Sequence, residues 1–224
     1  MQKLLSLKEA IAKIPSGATI MFGGFMANGS ALTIIDALAE TDVKDLTIIC
    51  NDGGWEDKGV GKLIVNKQCK KLIASHIGLN KEAGRQMKEG ELEVCLVPQG
   101  TLAEQIRAGG YGLGGILTKT GIGTLVEEGK QKIEVNGITY LLETPIRADF
   151  AIIFGAKVDT FGNIIYHGSA TNFNHVMASA ADTTIVEARE IVEIGALDPN
   201  RVTTPGVFVN HIVQSETEGG GADA

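Results

Sequence analysis

Short apolar runs with the look of strands recur along this chain: ATIMF at 18–22, LTIIC at 46–50, KLIASHI at 71–77 and LEVCLVP at 92–98. They begin 20 to 30 residues apart, and helix-like stretches (SALTIIDALAE, GKLIVNK, KEAGRQMKEG) fill the intervals. A strand–helix–strand rhythm folds through right-handed crossovers into a parallel sheet. Runs that are apolar throughout, rather than alternating, belong to strands covered on both faces. The expected class is therefore α/β, a mainly parallel sheet flanked by helices on both faces.

Local signals refine this expectation. Ser6 and Glu9 can form a capping box for a first helix whose apolar face is Leu7, Ile11 and Ile14, closed by Pro15-Ser16-Gly17. Asn136-Gly137 between two alternating runs in KIEVNGITYLLE predicts an added antiparallel hairpin. Further strands are expected at ADFAIIFGAKVD, NIIYH, TTIVEA and GVFVNHIV, with a helix over NFNHVMASAA. Nine glycines between 100 and 129 mark that segment as loop. No linker divides the chain, so residues 1–214 are expected to form one domain. The polar, glycine-rich tail SETEGGGADA at 215–224 is expected to be disordered.

Charge and composition exclude several classes. A net charge of −7 and the lack of any basic run argue against a nucleic-acid partner, although backbone N–H groups at helix starts still bind small phosphorylated ligands. Cys50, Cys69 and Cys95 include no C-x-x-C pair, and the four histidines lack ligand spacing, so neither a disulfide framework nor a metal site is expected. The strand settings of Cys50 and Cys95 read as core. With no signal-peptide core and no membrane-length apolar run, the expected location is the cytoplasm and no membrane partner is expected.

The segment IMFGGFMANGSALTIIDAL at 20–38 has a strand before its glycines and a helix after them. Its spacing is not that of a nicotinamide-binding loop, and it lacks the Lys-Ser/Thr of a triphosphate loop. A plain tight turn and an anion-binding or oxyanion-binding loop both remain open on these residues. Gly110, Gly112 and Gly115 match a dinucleotide pattern only in letters, because they follow a helix instead of a strand. Asn51, Asp52, His76 and Gln99 end successive strands, where sheet-based sites lie. No Gly-x-Ser-x-Gly elbow is present.

Six segments in order, GGFMANG (23–29), ICNDGG (49–54), SHIGLN (75–80), VPQGTLAEQIRAGG (97–110), TGIGTLVEEGK (120–130) and SATNFNHVM (169–177), resemble the alpha subunit of the family I CoA-transferases, most nearly the acetate, butyrate and acetoacetate type. The likeness runs from about residue 5 to 214. Two positions depart from the family signature: Ser16 precedes Gly17 where Asp or Asn is usual, and Ala31 stands where proline is usual.

The resemblance implies ping-pong transfer of CoA between a short-chain acyl-CoA and a free acid (acetate, butyrate or acetoacetate), through a glutamyl anhydride and a glutamyl-CoA thioester. That glutamate lies in a Ser-Glu-Asn-Gly context on the beta subunit, and no such motif occurs here; the sole Ser-Glu pair is Ser215-Glu216. The implied roles are CoA contact by Gly23, Gly24, Phe25, Met26, Ala27, Asn28 and Gly29, oxyanion donation by Asn51, and substrate binding by Gln99. Coenzyme A enters as substrate rather than resident cofactor, and the implied assembly is alpha2beta2. Two alternatives come from other classes: a non-catalytic CoA- or phosphate-binding α/β module, and a sugar-phosphate isomerase of similar fold.

Overall fold

The structure, a computed structural model, describes residues 3–216. Its elements in chain order are α1 (Leu7–Ile11), β1 (Thr19–Phe22), α2 (Leu32–Ala39), β2 (Leu46–Ile49), α3 (Gly61–Val65), β3 (Cys69–Ala74), α4 (Lys81–Glu89), β4 (Glu93–Leu96) and α5 (Gln99–Gly110). The second half supplies β5 (Ile116–Thr118), β6 (Lys132–Val135), β7 (Ile138–Glu143), β8 (Ala148–Asp159), β9 (Ile164–Ile165), α6 (Asn174–Met177), β10 (Ala181–Val192) and β11 (His211–Gln214).

Seven parallel strands lie in the order β11-β10-β8-β1-β2-β3-β4, with β9 antiparallel on β8. Alternation along each strand splits the core into two halves. Ile20, Phe22, Ile48, Leu72, Ile152 and Ile185 face α1, α2 and α3, while Met21, Ile49, Ala151, Ile153 and Val186 face α5 and α6. A sheet buried on both faces accounts for the uninterrupted apolar runs. The expected hairpin is present as β6 and β7, with Asn136 (φ 51°) and Gly137 (φ 74°) at its turn, and β5 extends it to a separate three-stranded antiparallel sheet. The capping box also forms: the Glu9 N–H donates to Ser6 Oγ and the Ser6 N–H to Glu9 Oε2.

Several expectations are corrected. Cys50 is buried, but Cys95 is exposed, because β4 is the last strand of the sheet and nothing among the described residues pairs its outer edge. Within 100–129 the glycines do not all mark loop: α5 runs through Gly110 and β5 follows at 116. Gly109 and Gly110 sit in α5 for lack of room, since an added Cβ would lie 2.0 Å from Ile146 O and 2.2 Å from Ser179 Oγ. The helix expected over NFNHVMASAA is only four residues long, and residues 206–208 of GVFVNHIV form a 3-10 turn before β11. Of the tail expected at 215–224, residues 217–224 lie outside the described residues. The Ser215 hydroxyl donates to Glu187 Oε1 (2.7 Å) and the Glu216 N–H to Thr33 Oγ1 (3.0 Å).

Those last contacts belong to an unusual helix start. Ala31, the N-cap of α2, offers no side-chain acceptor, and the fully buried Glu187 of β10 reaches across to take the Ile34 N–H at 3.0 Å. A carboxylate suits a helix N-terminus, yet burial dominates here and raises the Glu187 pKa. A raised folded-state pKa means the protonated carboxyl is favoured: the stability it brings is complete below the unfolded value of about 4.3 and is lost as pH climbs through the raised one. Glu187→Gln keeps one acceptor for Ile34 and a donor for Ser215. Its stability relative to wild type, read from urea midpoints, should therefore improve between pH 4 and pH 8.

Candidate active site at the switch point of the sheet

From β1 the chain proceeds outward through β2, β3 and β4, whereas β8, β10 and β11 fill the other side. The order reverses between β1 and β8, and in open α/β sheets the ligand crevice lies outside the carboxyl ends of the strands at such a point. The glycine loop 23–29 leaves β1 there. The Gly23 N–H still donates to Ile152 O of β8 (3.0 Å), after which the chain folds into a tight turn in which the N–H groups of Phe25 and Asn28 donate to each other's carbonyls at 3.0 and 2.9 Å. At its centre Met26 and Ala27 have φ of 51° and 65°, a left-handed backbone that costs non-glycine residues roughly 1–2 kcal/mol each. Phe25 and Met26 are 47% and 42% exposed, and Ala27 points inward.

The backbone at 23–24 is bare of necessity. A Cβ on Gly23 would lie 1.8 Å from Asn174 Oδ1, and one on Gly24 would lie 1.9 Å from Ser30 Oγ with φ at +113°. Asn174 is fully buried; its Nδ2 donates to Gly29 O (2.9 Å) and Ala170 O (2.8 Å), and its Oδ1 accepts the Phe154 N–H of β8 (3.0 Å). Asn172 adds a second tie, accepting the Gly24 N–H (3.0 Å) and donating to Asn28 O (3.1 Å). The Asn28 side chain donates to Ser169 Oγ at 2.6 Å. The segment leading into α6, with the first residue of that helix, thus works as a mould for the loop.

On the other side stands a chain of side chains from beyond the ends of β2, β3 and β4. Asn51, 1% exposed, donates through Nδ2 to Gly24 O at 2.6 Å, and its Oδ1 accepts from Gln99 Nε2. Gln99 Oε1 in turn accepts the Ser75 hydroxyl, which also lies 2.8 Å from Asn51 O. The Gly24 carbonyl, which can only accept, fixes which end of the Asn51 amide carries the N–H groups, and the Asn51 oxygen then orients the Gln99 amide. One of those N–H groups is used by Gly24, and the other has no acceptor among the described residues. Cys50, just before Asn51, donates its thiol to Asp52 O (3.0 Å), and burial pushes its pKa well up, so it is no nucleophile.

Asn51 and Asp52 therefore meet the glycine loop, Asp52 by accepting the Met26 N–H at 2.9 Å, and Gln99 stands behind Asn51. His76 joins only through its backbone, its carbonyl accepting the Gly53 N–H at 2.9 Å, with its ring exposed. Gln99 is the first residue of α5, behind Pro98, and its side chain turns to Asn51. Sequence reasoning missed the positions of Ser75, Asn172 and Asn174, whose signal was only their place in the SHIGLN and SATNFNHVM segments. Among the described residues no group of three or more His, Cys, Asp or Glu is placed to hold a metal ion.

Replacing Asn174 by Ala removes three buried hydrogen bonds and strands their backbone partners. Chemical denaturation should show a loss of about 3 kcal/mol, several times that of an exposed Asn→Ala change.

The coenzyme A transferase family profile matches residues 4–215. The chain is 53% identical over 214 residues to a protein described as acetate CoA-transferase subunit alpha from Escherichia coli (strain K12), covering 96% of this chain and 97% of that one. It is 51% identical over 212 residues to an acetoacetyl-CoA:acetate/butyrate CoA transferase alpha subunit from Clostridium acetobutylicum, covering 95% and 97%. Among solved structures, an acyl-CoA transferase from E. coli O157:H7, in a thioester complex with CoA, superposes with a TM-score of 0.87 at 23% identity. That match covers all of this chain and 49% of the other, so the present chain spans about half that protein's length. The glutaconate coenzyme A-transferase of Acidaminococcus fermentans gives a TM-score of 0.84, likewise at 23% identity, covering 95% and 75%. At such identities the likeness speaks for the fold alone. The full-length sequence agreement goes further, and with it this chain belongs to the coenzyme A transferase family.

Proposed function

We propose that this chain is the alpha subunit of a heteromeric CoA-transferase that moves CoA between a short-chain acyl-CoA and a free acid, with acetate, butyrate and acetoacetate as the acids. Residues 1–214 form its one domain, and a beta subunit brings the nucleophilic glutamate. The observation that carries this reading is the bare glycine loop at the switch point, with the Asn51 amide fixed beside it.

The chemistry runs in two half-reactions. The partner's glutamate carboxylate attacks the thioester carbonyl, the C–S bond breaks, and CoA leaves as thiolate, giving an acyl-glutamyl anhydride. The thiolate then attacks the glutamyl carbonyl and releases the first acid as carboxylate, leaving a glutamyl-CoA thioester. The second carboxylate repeats these steps in reverse order. Each attack places negative charge on a carbonyl oxygen. Asn51 meets it with the N–H not committed to Gly24, and a donor already held by Gln99 needs no reorganisation as the charge grows. The 23–29 loop lets CoA lie against backbone instead of side chains, with Phe25 and Met26 offering apolar surface. Gln99 orients Asn51 and binds the acid's carboxylate or the thioester carbonyl. CoA is a substrate here and not a resident cofactor. The assembly is alpha2beta2 and the compartment is the cytoplasm; among the described residues no helix is long and apolar enough to cross a membrane.

Transfer of CoA from acetoacetyl-CoA or butyryl-CoA to acetate should require both this chain and a beta-type partner. Activity from the chain alone contradicts the borrowed nucleophile, and CoA binding without transfer in the mixture points to the non-catalytic module. In the assembled enzyme Asn51→Ala should lower kcat by roughly 10²–10³, the cost of one oxyanion donor.

A further inference from the structure

The second strand carries a copy of the loop on the first. GGFMANG at 23–29 and GGWEDKG at 53–59 share the pattern Gly-Gly-aromatic-three residues-Gly, thirty positions apart, each between a parallel strand and the next helix. The fold makes the likeness physical. Phe25 pairs with Asn28 and Trp55 with Lys58 as isolated antiparallel bridges, and each loop ends on a glycine of positive φ, Gly29 at 70° and Gly59 at 66°. Each holds its aromatic ring partly exposed, Trp55 at 37%. The loops touch, because a Cβ on Gly59 would stand 3.6 Å from that of Ala27.

One side chain joins them. Asp52 is 4% exposed; its Oδ2 accepts the Met26 N–H at 2.9 Å and its Oδ1 the Gly54 N–H at 2.8 Å. Its own carbonyl takes the Cys50 thiol, and it bridges to His76 on the adjacent strand, so its backbone is anchored. Met26 is the first of the two residues held in left-handed backbone, which makes the carboxylate the acceptor for the strained turn itself. We infer that Asp52 is a positioning residue that clamps the two glycine loops into one rigid lip and thereby presets the 23–29 backbone for acyl-CoA. This inference rests on the assignment of 23–29 to CoA.

Asp52→Asn keeps the size and burial but replaces one of the two acceptors by a donor, which must then face an N–H. In the enzyme assembled with its beta-type partner, amides at 24–28 and 53–55 should exchange with solvent at least tenfold faster than in wild type, while those of β8 and β10 stay unchanged. The KM for acetoacetyl-CoA should rise about tenfold, with the KM for acetate changed less than threefold. Unchanged exchange in the two loops overturns the clamp and leaves the CoA assignment standing. Faster exchange with an unchanged acetoacetyl-CoA KM leaves the two loops tied by Asp52 but overturns the presetting of 23–29 for acyl-CoA, and with it the assignment of that loop to CoA. Faster exchange throughout β8 and β10 makes Asp52 a residue of the whole fold and overturns its role in the lip.

Discussion

The Asn174 carboxamide holds three backbone segments at once, donating to the loop at Gly29 and to Ala170 and accepting from β8 at Phe154. Its oxygen occupies the space where a side chain on residue 23 would be. A neutral, completely buried amide that satisfies three backbone groups is worth more than its individual bonds, because removing it strands each partner away from water. The bare backbone at Gly23 follows from that crowding.

The sheet order gives this local constraint its consequence. The reversal falls between β1 and β8, where open α/β sheets place their ligand crevice beyond the carboxyl ends of the strands, and the loop covers that point with main chain. Around that point the structure assembles polar side chains that hold one another, Ser75 on Gln99, Gln99 on Asn51 and Asn51 on Gly24. Such a chain fixes dipoles without placing a charge beside an incoming carboxylate. That suits the half-site proposed above, in which the nucleophile is itself a carboxylate brought by another chain.

Much of this was legible in sequence for physical reasons. Strands buried on both faces must be apolar throughout, a capping box is a reciprocal pair of side chains, and Asn-Gly fits the positive φ values of a hairpin turn. What failed to show was what depends on neighbours. Cys95 reads like Cys50 because both lie in apolar strands, yet β4 ends the sheet and β2 lies inside it. Gly109 and Gly110 read as loop residues, whereas they are helical positions pressed on Ile146 and Ser179. Glu187 in TTIVEARE gives no hint that it caps a helix some 150 residues earlier in the chain. Of the site, the strand-end residues Asn51, Asp52 and Gln99 could be named from the rule that sites lie beyond strand ends, but their mutual contacts, and those of Asn172 and Asn174, needed the fold.

Where CoA and the proposed partner meet this chain is tested most directly by a structure of the chain with its beta-type partner and bound CoA. The thiol end of CoA is expected to lie against the backbone of 23–29, with a carboxylate of the partner subunit within reach of the Asn51 amide. CoA seated away from the carboxyl end of β1, or a partner docked on another face of the sheet, would contradict the proposal.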